Sequence, residues 1–120
     1  MIRITSHVLD RVATYLQVRG AYGEATPLFE QAVTTGEQTL GPEHPDLATR
    51  LNNLALLYRA TGRWAEAEPL YQRSIAILAK TLPPDHPHLR QSRENYTSLL
   101  DQLGRHDEAA ALRARAQAIR

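Results

Sequence analysis

In the stretch LNNLALLY, residues 51–58, apolar side chains fall at Leu51, Leu54, Ala55 and Tyr58. That i, i+3, i+4, i+7 spacing predicts a helix with one buried face. Two asparagines interrupt it, Asn52 and Asn53, although asparagine is a poor helix former. Their side chains therefore need a reason outside helix propensity. Similar stripes recur along the chain and predict helices over about 6–19, 23–40, 45–61, 64–82, 87–103 and 106–120. No segment predicts a strand.

The pattern is periodic. Gly20, Gly62 and Gly104 recur at intervals of 42 residues, and each opens a similar block: GAYGEATPLF, GRWAEAEPLY and GRHDEAAALR. Glu24, Glu66 and Glu108 coincide, as do Ala25, Ala67 and Ala109, and Leu28, Leu70 and Leu112. LGPEHPDL at 40–47 returns as LPPDHPHL at 82–89. Each unit reads as a helix, a turn at glycine, a second helix and a proline-rich link. Pro45 and Pro87 suit the first turn of a helix, where the missing N–H has no partner to lose. The three glycines suit the left-handed position that ends one. Pro27 and Pro69 lie about a turn inside the second helix and restrict where it begins.

Small residues set the fit within a pair. Ala13 and Ala55 on first helices face Ala25 and Ala67 on second helices, so backbones approach closely while Leu16, Tyr58, Phe29 and Tyr71 fill the surrounding space. A single pair cannot bury its apolar face, so stability must come from stacking, for which about three repeats is the usual minimum. The chain is expected to form one all-α domain over residues 1–120, an α-solenoid of three antiparallel helix pairs with repeats at about 6–43, 44–85 and 86–120. Its last helix is expected to be a solvated cap. Arg113 stands where Phe29 and Tyr71 stood, and Gln117 where Val33 and Ile75 stood, while Leu112, Ala116 and Ile119 keep one apolar stripe. The first helix has two stripes, Val8, Val12 and Tyr15 beside Leu9, Ala13 and Leu16. That surplus predicts a homodimer through the N-terminal helix, or a fold-back of residues 1–4.

Composition narrows the function. Fourteen basic and thirteen acidic residues leave a formal charge of +1 without like-charge runs, which weighs against nucleic-acid and membrane-surface partners. The absence of cysteine removes disulfides and thiolate metal sites. The start MIRITSHVLD lacks the apolar core of a signal peptide, and no stretch has the length of a membrane span, so a cytoplasmic protein is expected. Thirteen of the fourteen basic residues are arginine and alanine is abundant, a coding bias that suggests a GC-rich bacterial source. His44, His86 and His88 lack a completing carboxylate or cysteine and read as helix starts, with no metal. No nucleophile elbow or phosphate-cradling loop is present, so neither catalysis nor a cofactor is expected. Trp64 and Tyr22 occupy matching turn positions and are expected to pack between helices.

The segment EHPDLATRLNNLALLYRATGRWAEAEPLYQRSIAI resembles the 42-residue variety of tetratricopeptide repeat found in kinesin light chains and many bacterial proteins. The HP start, the NNLA-x-LY core, the Gly-x-aromatic-x-EAE-x-LY turn and the 42-residue step carry the likeness. The outer units depart from it, with Asp10 and Arg11, then Glu94 and Asn95, where the middle one has Asn52 and Asn53. The resemblance implies a right-handed superhelix whose first helices line a concave surface, and a protein or peptide partner.

On that implication Thr49, Asn53, Leu56 and Ala60 face a groove, flanked by Asn52 and Arg59. Repeat subtraction adds His7, Arg11 and Thr14 on one side and Gln91, Asn95 and Ser98 on the other, beside Glu94 and Asp101. An asparagine amide both donates and accepts, so Asn53 and Asn95 are expected to clasp peptide units of an extended ligand. Leu56 is expected to form an apolar pocket. The expected function is a non-catalytic module that binds an extended peptide. Alternatives are a self-assembling scaffold, or the regulatory repeat fragment of a larger protein whose other part is an enzyme. If the asparagines serve only a ligand, replacing either by Ala should leave stability unchanged or raise it by roughly 0.5 kcal/mol.

Overall fold

A computed structural model describes residues 4–118. The punctuation divides these residues into six helices: α1 (Ser6–Val18), α2 (Tyr22–Leu40), α3 (Pro45–Ala60), α4 (Trp64–Thr81), α5 (Pro87–Gln102) and α6 (His106–Ala118). The described residues contain no strand. The side chain of Gln117, Ile119, and residues 1–3 of the fold-back expected for residues 1–4 lie outside the described residues, while Ile4 is 56% exposed.

The starts and stops are local. His44 Nδ1 accepts the N–H of Asp46 at 3.0 Å and His86 Nδ1 accepts that of His88 at 3.1 Å, each just before a proline in the first turn. Imidazole thus takes the capping role usually filled by Ser or Asp. Gly20, Gly62 and Gly104 have φ of 81°, 82° and 79°. Behind them the N–H groups of Ala21, Arg63 and Arg105 reach back to the carbonyls of Leu16, Tyr58 and Leu100 at 2.8, 2.7 and 2.8 Å. Such six-to-one bonds mark the Schellman ending of a helix. Pro27 and Pro69 lie within α2 and α4, past the free N–H groups, so the carbonyls of Gly23 and Ala65 lose their helical donors. Both residues are exposed, where water replaces the donor.

Leu51, Leu54, Ala55 and Tyr58 are all buried, and Ala13, Ala25, Ala55 and Ala67 are fully so, as the close approach within pairs requires. Between pairs, Tyr58 Oη donates to Glu30 at 2.6 Å and Tyr96 Oη to Glu68 at 2.7 Å, so both stacking junctions carry the same tyrosine–glutamate latch. Trp64 packs at its turn and donates from Nε1 to the Arg59 carbonyl at 3.1 Å. Tyr22, expected to do the same, is 40% exposed, because a phenol has no donor midway along its ring to hold it against the turn.

Consecutive helices pack antiparallel, and α1 also touches α3, as α3 touches α5. The second helices stay far enough apart that a long side chain spans the gap, Arg73 reaching Glu37 at 2.7 Å. First helices close together and second helices splayed bend the stack, placing α1, α3 and α5 on its inner side. The result measures 49 × 30 × 19 Å.

Candidate interaction surface

Side by side on the inner face, the first helices exchange side-chain bonds at a constant offset. His7 meets Arg50, Asp10 meets Asn53, Asn52 meets Asn95 and Arg59 meets Gln102, each pair 43 residues apart. The offset exceeds the repeat by one, so adjacent residues face opposite neighbours. Asn53 reaches back, its Nδ2 donating to both carboxylate oxygens of Asp10 at 3.0 and 2.9 Å. Asn52 reaches forward, its Oδ1 accepting from Asn95 Nδ2 at 3.4 Å. The two asparagines within the helix therefore tie each first helix to the next.

This changes the expectation for Asn53. Asp10 and Arg50 are 6% and 8% exposed, and Arg50 Nη1 lies 3.3 Å from the Asp10 carboxylate. Burial pushes the Asp10 carboxyl above its ordinary range, against the opposing pull of Asn53, Arg50 and His7. Asn53 thus solvates a buried acid, and removing it should cost stability rather than leave it unchanged or raise it. Asn95 is differently placed: its Oδ1 accepts from Gln91 Nε2 at 2.9 Å at the exposed end of the ladder.

Five expected groove residues, Leu56, Arg59, Ala60, Ser98 and Asp101, come together in one cleft. Leu56, Arg59 and Ser98, with Ala60, Asp101 and Gln102, line a space of about 690 Å³ between α3 and α5. Arg59 is held in place, Nε donating to Gln102 Oε1 at 2.8 Å and Nη1 to the Asn95 carbonyl at 3.3 Å. His106 and Arg113 hold the Asp101 carboxyl below its usual range. Half-buried Leu56 and exposed Ala60 are its apolar lining, beside a fixed guanidinium, an amide, a hydroxyl and a carboxylate. Arg11 and Thr14 sit away from this cleft on α1, both exposed, with Thr14 Oγ1 donating to its own helix at the Asp10 carbonyl at 2.8 Å. Gln91 lies exposed on α5. Sequence reasoning missed Gln102 and the Asp10–Arg50 pair. Subtraction at 42 finds equivalent residues, whereas a search at 43 finds touching ones.

The tetratricopeptide repeat profile matches residues 4–80 and 51–120. No protein with curated function matches the chain. Among solved structures, the chain is similar to the nearly identical TPR-like repeats of a Podosopora anserina kinesin light chain, with a TM-score of 0.84 and 32% identity over 98% of this chain and 57% of that one. A point variant of the same repeats gives 0.84 and 31%, over 99% and 57%. BtubC (BKLC) from P. vanneervenii shares the fold, with a TM-score of 0.86 at 21% identity over 95% of this chain and 46% of its own. The chain therefore spans little more than half the length of the first two structures and less of the third. With the profile covering both halves of the sequence and helices stacked as in those structures, the chain belongs to the tetratricopeptide-repeat family.

Proposed function

We propose that this chain is a non-catalytic interaction module that holds an extended segment of a partner protein along its inner face. Tetratricopeptide arrays mediate protein–protein interaction or scaffolding, and the cleft over Leu56 is the observation that carries the narrower reading. Its apolar lining suits one apolar side chain, while Arg59, Gln102 and Ser98 beside it suit the peptide groups on either side. The lateral bonds keep Arg59 and Gln102 in place before a ligand arrives, which lowers the ordering cost of binding.

The test is a screen of the chain against an array of extended peptides, followed by titration of the strongest with the native chain and Leu56→Glu. The substitution puts a charge in the apolar lining at a half-buried site, so it should weaken binding at least about tenfold while the thermal melt stays close to native. An equal affinity for both proteins overturns the groove reading. A second reading, self-association, is favoured by one specific observation: Val8, Val12 and Tyr15 of α1 are 46%, 46% and 59% exposed.

A further inference from the structure

We propose that two copies of this chain pair head to head, α1 against α1 about a two-fold axis. The proposal rests on the self-association reading and supplies its geometry. Counting by repeats, Val8, Val12 and Tyr15 correspond to Arg50, Leu54 and Leu57 of α3 and to Ser92, Tyr96 and Leu99 of α5. None of those six is more than 8% exposed: α3 packs on α2, with Arg50 against Asp10 and His7 of α1, and α5 packs on α4. The stripe on α1 is thus the docking face of a first helix with no preceding pair among the described residues, and exposed Ile4 lies just before the Thr5 cap of that helix.

The opposite end of the stack offers no match. There α5 and α6 enclose a cleft of about 660 Å³ whose lining includes Asp85, Arg90, Arg93, Glu94 and Arg113. Arg113 occupies the repeat position of Phe29 and Tyr71, the buried rings of the earlier second helices, the latter packed 6.3 Å from the Tyr96 ring of α5. Its guanidinium is bonded to Asp101 at 2.8 Å and to Glu94 at 3.3 Å. Laying Val8 and Val12 of another copy over these ions would desolvate them without a replacement partner. Head-to-tail stacking is therefore unfavourable, and the stripe of a second copy is the surface that complements the first.

A two-fold contact is self-complementary and closes at two copies, so it yields a dimer rather than a fibre. Four apolar side chains about half exposed present on the order of 400 Å² per copy. Covering both stripes with their polar margins removes roughly 1,000 Å², the lower end of specific interfaces, so a dissociation constant on the order of micromolar is expected.

Sedimentation equilibrium from low to high micromolar concentration tests the pairing on the full chain, whose monomer mass is 13.5 kDa. A monomer–dimer equilibrium should appear, and Val12→Glu, an exposed site, should raise the dissociation constant at least about tenfold with an unchanged helical melt. The chain has no cysteine, so Val12→Cys introduces a single thiol. A short bismaleimide should link two such chains across the axis, which a head-to-tail contact would not permit. A monomer at every concentration overturns both self-association and the head-to-head dimer. Assembly that grows beyond two copies, or a dimer that Val12→Cys does not cross-link, leaves self-association standing and overturns the two-fold arrangement.

Discussion

Asn53 and Asn95 occupy the same position one repeat apart, yet they face different environments. Asn53 donates twice to a buried carboxylate, whereas Asn95 bonds to neutral amides near solvent. Asn53→Ala should therefore lower stability by about 1–3 kcal/mol, and Asn95→Ala by less than about 0.5 kcal/mol. Urea unfolding of the two variants checks this, and equal losses would mean that the Asp10 contact contributes nothing special. Asp10 also has an unusual pH dependence. Its folded pKa lies above the ordinary 3.8, so its contribution to stability is fully present below that value and is lost as pH rises through the folded one. Glu68 behaves oppositely: Arg105, and then Tyr96, hold it below 4.5, so its contribution is present above 4.5 and lost as pH falls through the folded value. Thermal melts at pH 3 and pH 7 should show the native chain gaining on Asp10→Asn at acid pH while its advantage over Glu68→Gln shrinks.

At the scale of the element, the glycine turns and histidine caps were legible in the sequence because their partners lie within five residues. Gly62 has a φ of 82°, and a Cβ built on it would meet nothing within 4 Å. Gly62→Ala should then cost about 1 kcal/mol through backbone strain alone. His44→Ala should also cost about 1 kcal/mol, because the N–H of Asp46 loses its acceptor at the start of α3. Both are read by chemical denaturation. A loss at Gly62 much larger than this would point to a steric clash that the open surroundings do not contain.

Across the whole molecule, the buried residues form one elongated cluster that runs along the stack from Ala13 of α1 to Ala109 of α6. Leu47, Leu51, Leu54 and Leu57 of α3 are each no more than 4% exposed, because that helix has a pair on either side. The helices at the two ends have a neighbouring pair on one side only. In a linear array, each unit draws on its own packing and its neighbours' interfaces. Amide hydrogen exchange should therefore be slowest in α3 and α4 and fastest in α1 and α6. Uniform protection across all six helices would mean that the array opens only as a single unit. Dimerisation through α1 would slow exchange in α1 as protein concentration rises, and leave α6 unchanged.

The sequence alone determined which segments are helical, where they stop and how they pair, because apolar spacing, helix-ending glycines and HP starts act within one or two turns and repeat in register. It also contained the close packing of Ala13, Ala55, Ala25 and Ala67, since small residues recurred at equivalent positions. Only the tertiary structure decided what the asparagines touch. That depends on the rotation and spacing between neighbouring first helices, which bring residue 10 beside residue 53 and residue 52 beside residue 95. Those quantities are set by the summed packing of many side chains. Thus Leu56, Arg59 and Ser98 share one cleft, while the Asn53 amide bonds a buried acid on the preceding first helix, because a helix's surface pattern identifies its outward face but not the neighbouring helix that each residue meets.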